Sequence, residues 1–171
     1  MSSFTKFNAP LNIQYHPVAS KLLGVDHWVV TQEFIYYIGT ENSNKWVIIP
    51  AGCLTDGASV PKMLQLLLPP WGSYGQAAVL HDYLCEHGEI MDGFDYSFVG
   101  RRYIDGVLSE AMKVLNVSEW KRGLIMSGVD FYRKTCRPPV PNILNGKAAI
   151  QANLYEQYER YGTFIIDEKS L

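Results

Sequence analysis

Hydrophobic and polar residues alternate with two different periods along this chain, and the change of period divides it. The first half has the period of a strand. Leu11, Ile13 and Tyr15 alternate with polar neighbours, and Trp28 to Ile38 is rich in β-branched and aromatic residues. Gly39 to Asn44 supplies turn residues ahead of Lys45-Trp46-Val47-Ile48-Ile49-Pro50, so a hairpin is predicted there. From Pro61 onward the texture is helical, first around Lys62 to Leu68 and then over Gly75 to His87, after the breaker Pro69-Pro70-Trp71-Gly72. A third helix is expected from about Arg102 to Leu115, with Ile104, Leu108, Ala111, Met112 and Leu115 on one face. Ser118 is placed to cap a fourth, reaching about Arg133.

Strands followed by helices predict an α+β fold, a small antiparallel sheet from the N-terminal half packed against helices of the C-terminal half, with a C-terminal extension. The extension begins with Arg137-Pro138-Pro139-Val140-Pro141-Asn142, stiff because each proline fixes its own φ and restricts the residue before it. Beyond it, Gly146 to Tyr161 carries Ile150, Leu154 and Tyr158 at helical spacing, with Tyr155 and Tyr161 nearby. The expected organisation is a core domain over residues 1–137 and a proline spacer with a Tyr-rich helical arm over 138–171. Two placements of that amphipathic helix follow: on the core shared by the other helices, or as an arm docked on another chain.

A chain of 171 residues that is 47% hydrophobic and 19% charged can bury its own core and lies far from the composition of disorder. Its formal charge of -2 gives no overall attraction to nucleic acid, for which only Lys121-Arg122 and Arg133-Lys134 speak, so that partner is not expected. No run approaches the roughly eighteen apolar residues of a membrane span, and Met1 to Pro10 has no secretory pattern. Cys53, Cys85 and Cys136 are odd in number and far apart, which argues against a disulfide framework and for synthesis in a reducing cytoplasm.

Chemistry concentrates in Thr55-Asp56-Gly57-Ala58-Ser59-Val60-Pro61 and in His81-Asp82-Tyr83-Leu84. The first has the grammar of a turn entering a helix, where Asp56 closes an Asx turn and Ser59 caps. The second puts imidazole and carboxylate directly after the apolar Ala77-Ala78-Val79-Leu80. Neighbours on a helix diverge by about 100°, yet side chains of different reach can meet one ion. Asp56, His81, Asp82 and Asp105 therefore form the candidate ligand set for one divalent metal ion, Zn²⁺ or Mn²⁺ rather than Ca²⁺, with Ser109 and Glu110 a turn beyond Asp105. His81, Asp82 and Asp56 are the candidate catalytic residues, either through such an ion or by general acid/base catalysis. The bland alternatives are a satisfied core histidine and an Asp105 paired with Arg101, Arg102 or Lys113. Neither Ser59 nor Cys85 sits in a nucleophile pattern.

His81-Asp82 alone is shared with HD phosphohydrolases and secreted phospholipases A2, but the upstream histidine of the former and the calcium loop and dense cysteines of the latter are missing; His16 and His27 fall in strand-like sequence. The fuller pattern is more specific. Phe34-Ile35-Tyr36, then Ile49-Pro50-Ala51-Gly52-Cys53-Leu54 running into the Thr55 to Pro61 motif, then Ala77 to Leu84, Asp105 and Glu110-Ala111-Met112 resemble the bacterial and bacteriophage domain-of-unknown-function family 1353, over roughly residues 26 to 133. Cys53 stands where an aromatic is more typical. The resemblance implies a phage or prophage setting and carries no reaction with it. Two functions are expected: a metal-assisted hydrolase-like site of open substrate, or a non-catalytic virion or tail-assembly component. In the second, made in the host cytoplasm and carried in the virion, the chain contacts other phage virion proteins through its C-terminal arm.

Overall fold

The computed structural model describes residues 6–57, 69, 71–143 and 145–165. The expected helix at 62–68 and the candidate cap Ser59 lie outside them. Strand content is divided between two antiparallel sheets. β1 (Ile13–Tyr15), β2 (Trp28–Val30) and β5 (Leu54–Thr55) form one, in the order β1-β2-β5; β3 (Phe34–Tyr37), β4 (Lys45–Ile49), β6 (Glu89–Asp92) and β7 (Asp95–Phe98) form the other, in the order β3-β4-β6-β7. The run from Trp28 to Ile38 is thus two strands, and the polar Thr31-Gln32-Glu33 between them is where the chain changes sheet. The β3–β4 hairpin is in the expected place, with Phe34 opposite Ile49 and Tyr36 opposite Val47. A second hairpin, β6–β7, turns at Gly93 in the left-handed region, φ +66°, following the turn signal Asp92-Gly93.

The helices are α1 (Pro17–Leu23), α2 (Gly75–His87), α3 (Arg101–Val114), α4 (Glu119–Cys136) and α5 (Asn145–Tyr161). α1 replaces the strand-like reading around His16. Pro17 stands at the first helical position, and the His16 imidazole caps the helix, accepting from the Ala19 N–H at 3.1 Å. Ser118 precedes α4 as expected, though its side chain makes no capping bond.

The inward faces of β3 and β4 (Phe34, Tyr36, Val47, Ile49) meet Leu80 and Leu84 of α2 and Ile104, Leu108, Ala111 and Met112 of α3 in the main core. Cutting a fully buried leucine such as Leu84 to alanine costs about 2–5 kcal/mol, so α2 is held firmly. A smaller apolar cluster joins Ala19, Val29 and Leu54 to Ile150 and Leu154, which seats α5 against α1 and the three-stranded sheet. Gly52 permits that approach. Its φ is +95°, and a Cβ there would come within 2.7 Å of the Tyr155 ring. The proline segment runs along the end of α2, where the Asn142 N–H donates to the Cys85 carbonyl at 3.0 Å. Among the described residues no helix is long and apolar enough to cross a membrane.

Candidate functional site

Residues four apart on a helix share a face while adjacent ones diverge, so α2 sorts its polar groups into pairs. His81 and Cys85 turn toward α3, Asp82 and Glu86 toward β5 and α5, and the Tyr83 and His87 rings pack on each other at 4.3 Å. The candidate set from the sequence is thereby divided. His81 joins Asp105; Asp82 joins the Thr55-Asp56 loop.

On the first side, His81 Nε2 lies 2.9 Å from Asp105 Oδ1, and both residues are buried. Two guanidiniums enclose the same carboxylate: Arg101 Nε is 3.4 Å from Oδ1 and Arg133 Nε 3.0 Å from Oδ2. These two contacts are coulombic only, since neither N–H is aligned for a hydrogen bond. Burial holds the His81 imidazole below its usual pKa and Arg101 acts in the same direction, against the hydrogen bond and charge of Asp105. The ring is therefore neutral near pH 7, with its Nε2–H donating to Asp105. Cys85, His81 and Asp105 have the composition of a nucleophilic triad, but Cys85 Sγ sits 3.8 Å from both ring nitrogens, and burial pushes its thiol up to about 12. A thiol at that value is not an activated nucleophile.

The second side is built where β5 ends. The Thr55 hydroxyl accepts from the Gly57 N–H at 3.1 Å and donates to Asp82 Oδ2 at 3.3 Å, so it closes the turn and fixes the carboxyl together. Gly57, at φ +76°, makes that turn possible. Glu86, one turn after Asp82, pairs with Lys147 of α5, and this ion pair is nearly inaccessible, the side chains being 12% and 5% exposed. Desolvation alone would lower Lys147, yet the charge and hydrogen bond of Glu86, helped by Asp82, keep it a firm ammonium. Asp82 differs from its neighbours. Burial first, then the Asp56 charge, hold its carboxyl well above the ordinary carboxylate range, with Glu86 adding and Lys147 and Thr55 opposing. It nonetheless keeps part of its surface accessible.

Glu110 belongs to neither side. Its Oε1 accepts from the Tyr36 hydroxyl at 2.7 Å and the Gly39 N–H at 2.9 Å and pairs with Lys6 at 3.1 Å, a structural role. Sequence reasoning missed Glu86, Lys147 and Arg133. Glu86 had a local signal, its spacing of four from Asp82; Lys147, 61 positions from its partner, had none. Among the described residues, no three His, Cys, Asp or Glu side chains converge on a metal position.

The family described as a protein of unknown function (DUF1353) matches residues 28–129, and the chain belongs to that family. The match takes in Thr55, Asp56, His81, Asp82 and Asp105, whereas Arg133 and Lys147 lie beyond it. No curated protein and no solved structure matches the chain.

Proposed function

We propose that this family member is a hydrolase-like protein of phage or prophage origin whose proton transfer is centred on Asp82. One observation carries the reading: the carboxyl of a half-buried residue, raised well above its normal range, held at a loop-helix junction and with an ammonium close by. Perturbed groups of this kind gather at reactive sites. In the proposed step, protonated Asp82 gives its proton to the leaving oxygen of a scissile bond. Water adds to the substrate and returns a proton to the Asp82 carboxylate. Thr55 fixes Oδ2, which leaves Oδ1 to carry the proton, and Lys147 steadies the transient carboxylate. His81 and Asp105 hold α2 in place.

A panel of carboxylic esters, phosphoesters and cell-envelope glycans, screened with the wild type and with Asp82→Asn, tests this. Turnover lost in Asp82→Asn with folding intact supports it; turnover unchanged in that variant sinks it.

The neighbouring carboxyls Asp56, Asp82 and Glu86, which act on one another electrostatically, favour a metal-assisted version. Zn²⁺ or Mn²⁺ would sit on Asp56 and Asp82, and would include His81 and Asp105 only if His81 left its present partner. Metal analysis after incubation with either ion separates the forms. Stoichiometric metal lost in both Asp82→Asn and His81→Ala assigns the four-residue set, and loss in Asp82→Asn alone assigns the carboxylate side.

A second reading, a virion or tail-assembly component, is favoured by aromatic side chains left on the surface: Trp120, Phe131 and Tyr132 on α4, and Tyr161 on α5. It expects the chain in purified particles and its loss from them on Phe131→Ser, with the fold unchanged.

A further inference from the structure

We propose that the opening between β4 and β6 is a binding site for a small organic cation of the quaternary or methylated ammonium class. The sheet itself creates the space. β4 and β6 pair only at Lys45–Asp92 and Trp46–Met91, so beyond that point the strands part and leave a cavity of about 110 Å³. Trp46, Met91 and Tyr96 are opposed across three neighbouring strands and form one row of its wall. Tyr83 and His87 of α2, in ring contact at 4.3 Å, supply another wall.

Aromatic rings from different elements line this one small space, and the faces of aromatic π-systems attract a cation. Glu89 also lines the cavity, two positions before Met91 and therefore on the same face of β6. Asp92 on the same strand and Glu86 on α2 each have a lysine partner. Among the described residues no lysine or arginine pairs with Glu89. His87 does not oppose a cation at neutral pH, because burial and the Lys147 charge hold its imidazole below the usual range, with only Glu89 acting against them. The volume is well short of the roughly 300–1,000 Å³ of a site for a drug-sized ligand, so the occupant is a head group. Tyr96 stands exposed at the rim, where the rest of such a ligand would leave.

The test is an NMR titration of the full chain with choline chloride and, in parallel, with 3,3-dimethylbutanol, its neutral isostere. Saturable shifts at Trp46, Glu89 and Met91, with choline bound about tenfold more tightly than the alcohol, are expected. Glu89→Gln should weaken choline about fivefold or more and leave the alcohol unchanged. Absence of saturable shifts with choline, equal binding of the two ligands, or full choline affinity in Glu89→Gln would each overturn the proposal. The two-ligand comparison needs no variant, so it stands even if a substitution disturbs the fold.

Discussion

His81 and Asp82 are adjacent in sequence and opposite in electrostatics. On the His81 side the buried carboxylate Asp105 is faced by two guanidiniums and an imidazole N–H, Arg133 being shared with Asp130. On the Asp82 side, among the described residues, Asp82 and Glu86 lie by one ammonium, Lys147, which is already taken by Glu86, and the Asp56 charge acts on Asp82 as well. Burial is common to both; charge balance is not. The first arrangement locks helices together, and the second leaves a carboxyl whose protonation is easily changed.

The contrast breaks most visibly at Asp105. Asp105→Ala removes the group on which Arg101, Arg133 and His81 converge, and a loss of about 3–5 kcal/mol is expected in urea denaturation. Lys147→Met comes next, with a loss of about 3 kcal/mol, because Glu86 is left buried without its cation. Combining it with Glu86→Gln should recover most of that loss, a coupling read from the double-mutant cycle.

Asp82→Asn should have the opposite sign, a gain of about 1–2 kcal/mol at neutral pH accompanied by lost turnover. The pH dependence follows from the raised folded pKa. The stability tied to the protonated carboxyl is complete below the ordinary carboxylate range and is lost as pH rises through the folded value. Melting temperatures across that window should therefore fall in the wild type relative to Asp82→Asn, with the widest gap above it. Destabilisation by Asp82→Asn at neutral pH would make the two sides alike.

The smallest effect concerns the thiols. Exposed Cys136 should be alkylated by iodoacetamide at least about tenfold faster than Cys85, whose thiol burial holds at about 12. Peptide mass spectrometry of the native protein reads both rates. Comparable labelling would reopen the triad on the His81 side.

Local pattern alone determined much of this protein. The periods of 2 and 3.6 located β4, α2, α3 and α5 and the β3–β4 turn, because each pattern is written within one element and its caps. It also singled out Thr55-Asp56-Gly57 and His81-Asp82, since polar groups interrupting apolar runs are visible one residue at a time. The β6–β7 hairpin was missed, although Asp92-Gly93 is a local turn signal that marks it. Tertiary structure alone decided how those groups were grouped. Periodicity gave α5 an apolar stripe, but only packing on Ala19, Val29 and Leu54 delivered Lys147 to Glu86. Likewise only the α2–α3 and α3–α4 contacts put Asp105 between His81 and Arg133. Coulomb energy depends on distance in space and on burial, and neither is encoded by separation along the chain, so one dipeptide came to serve two unlike environments.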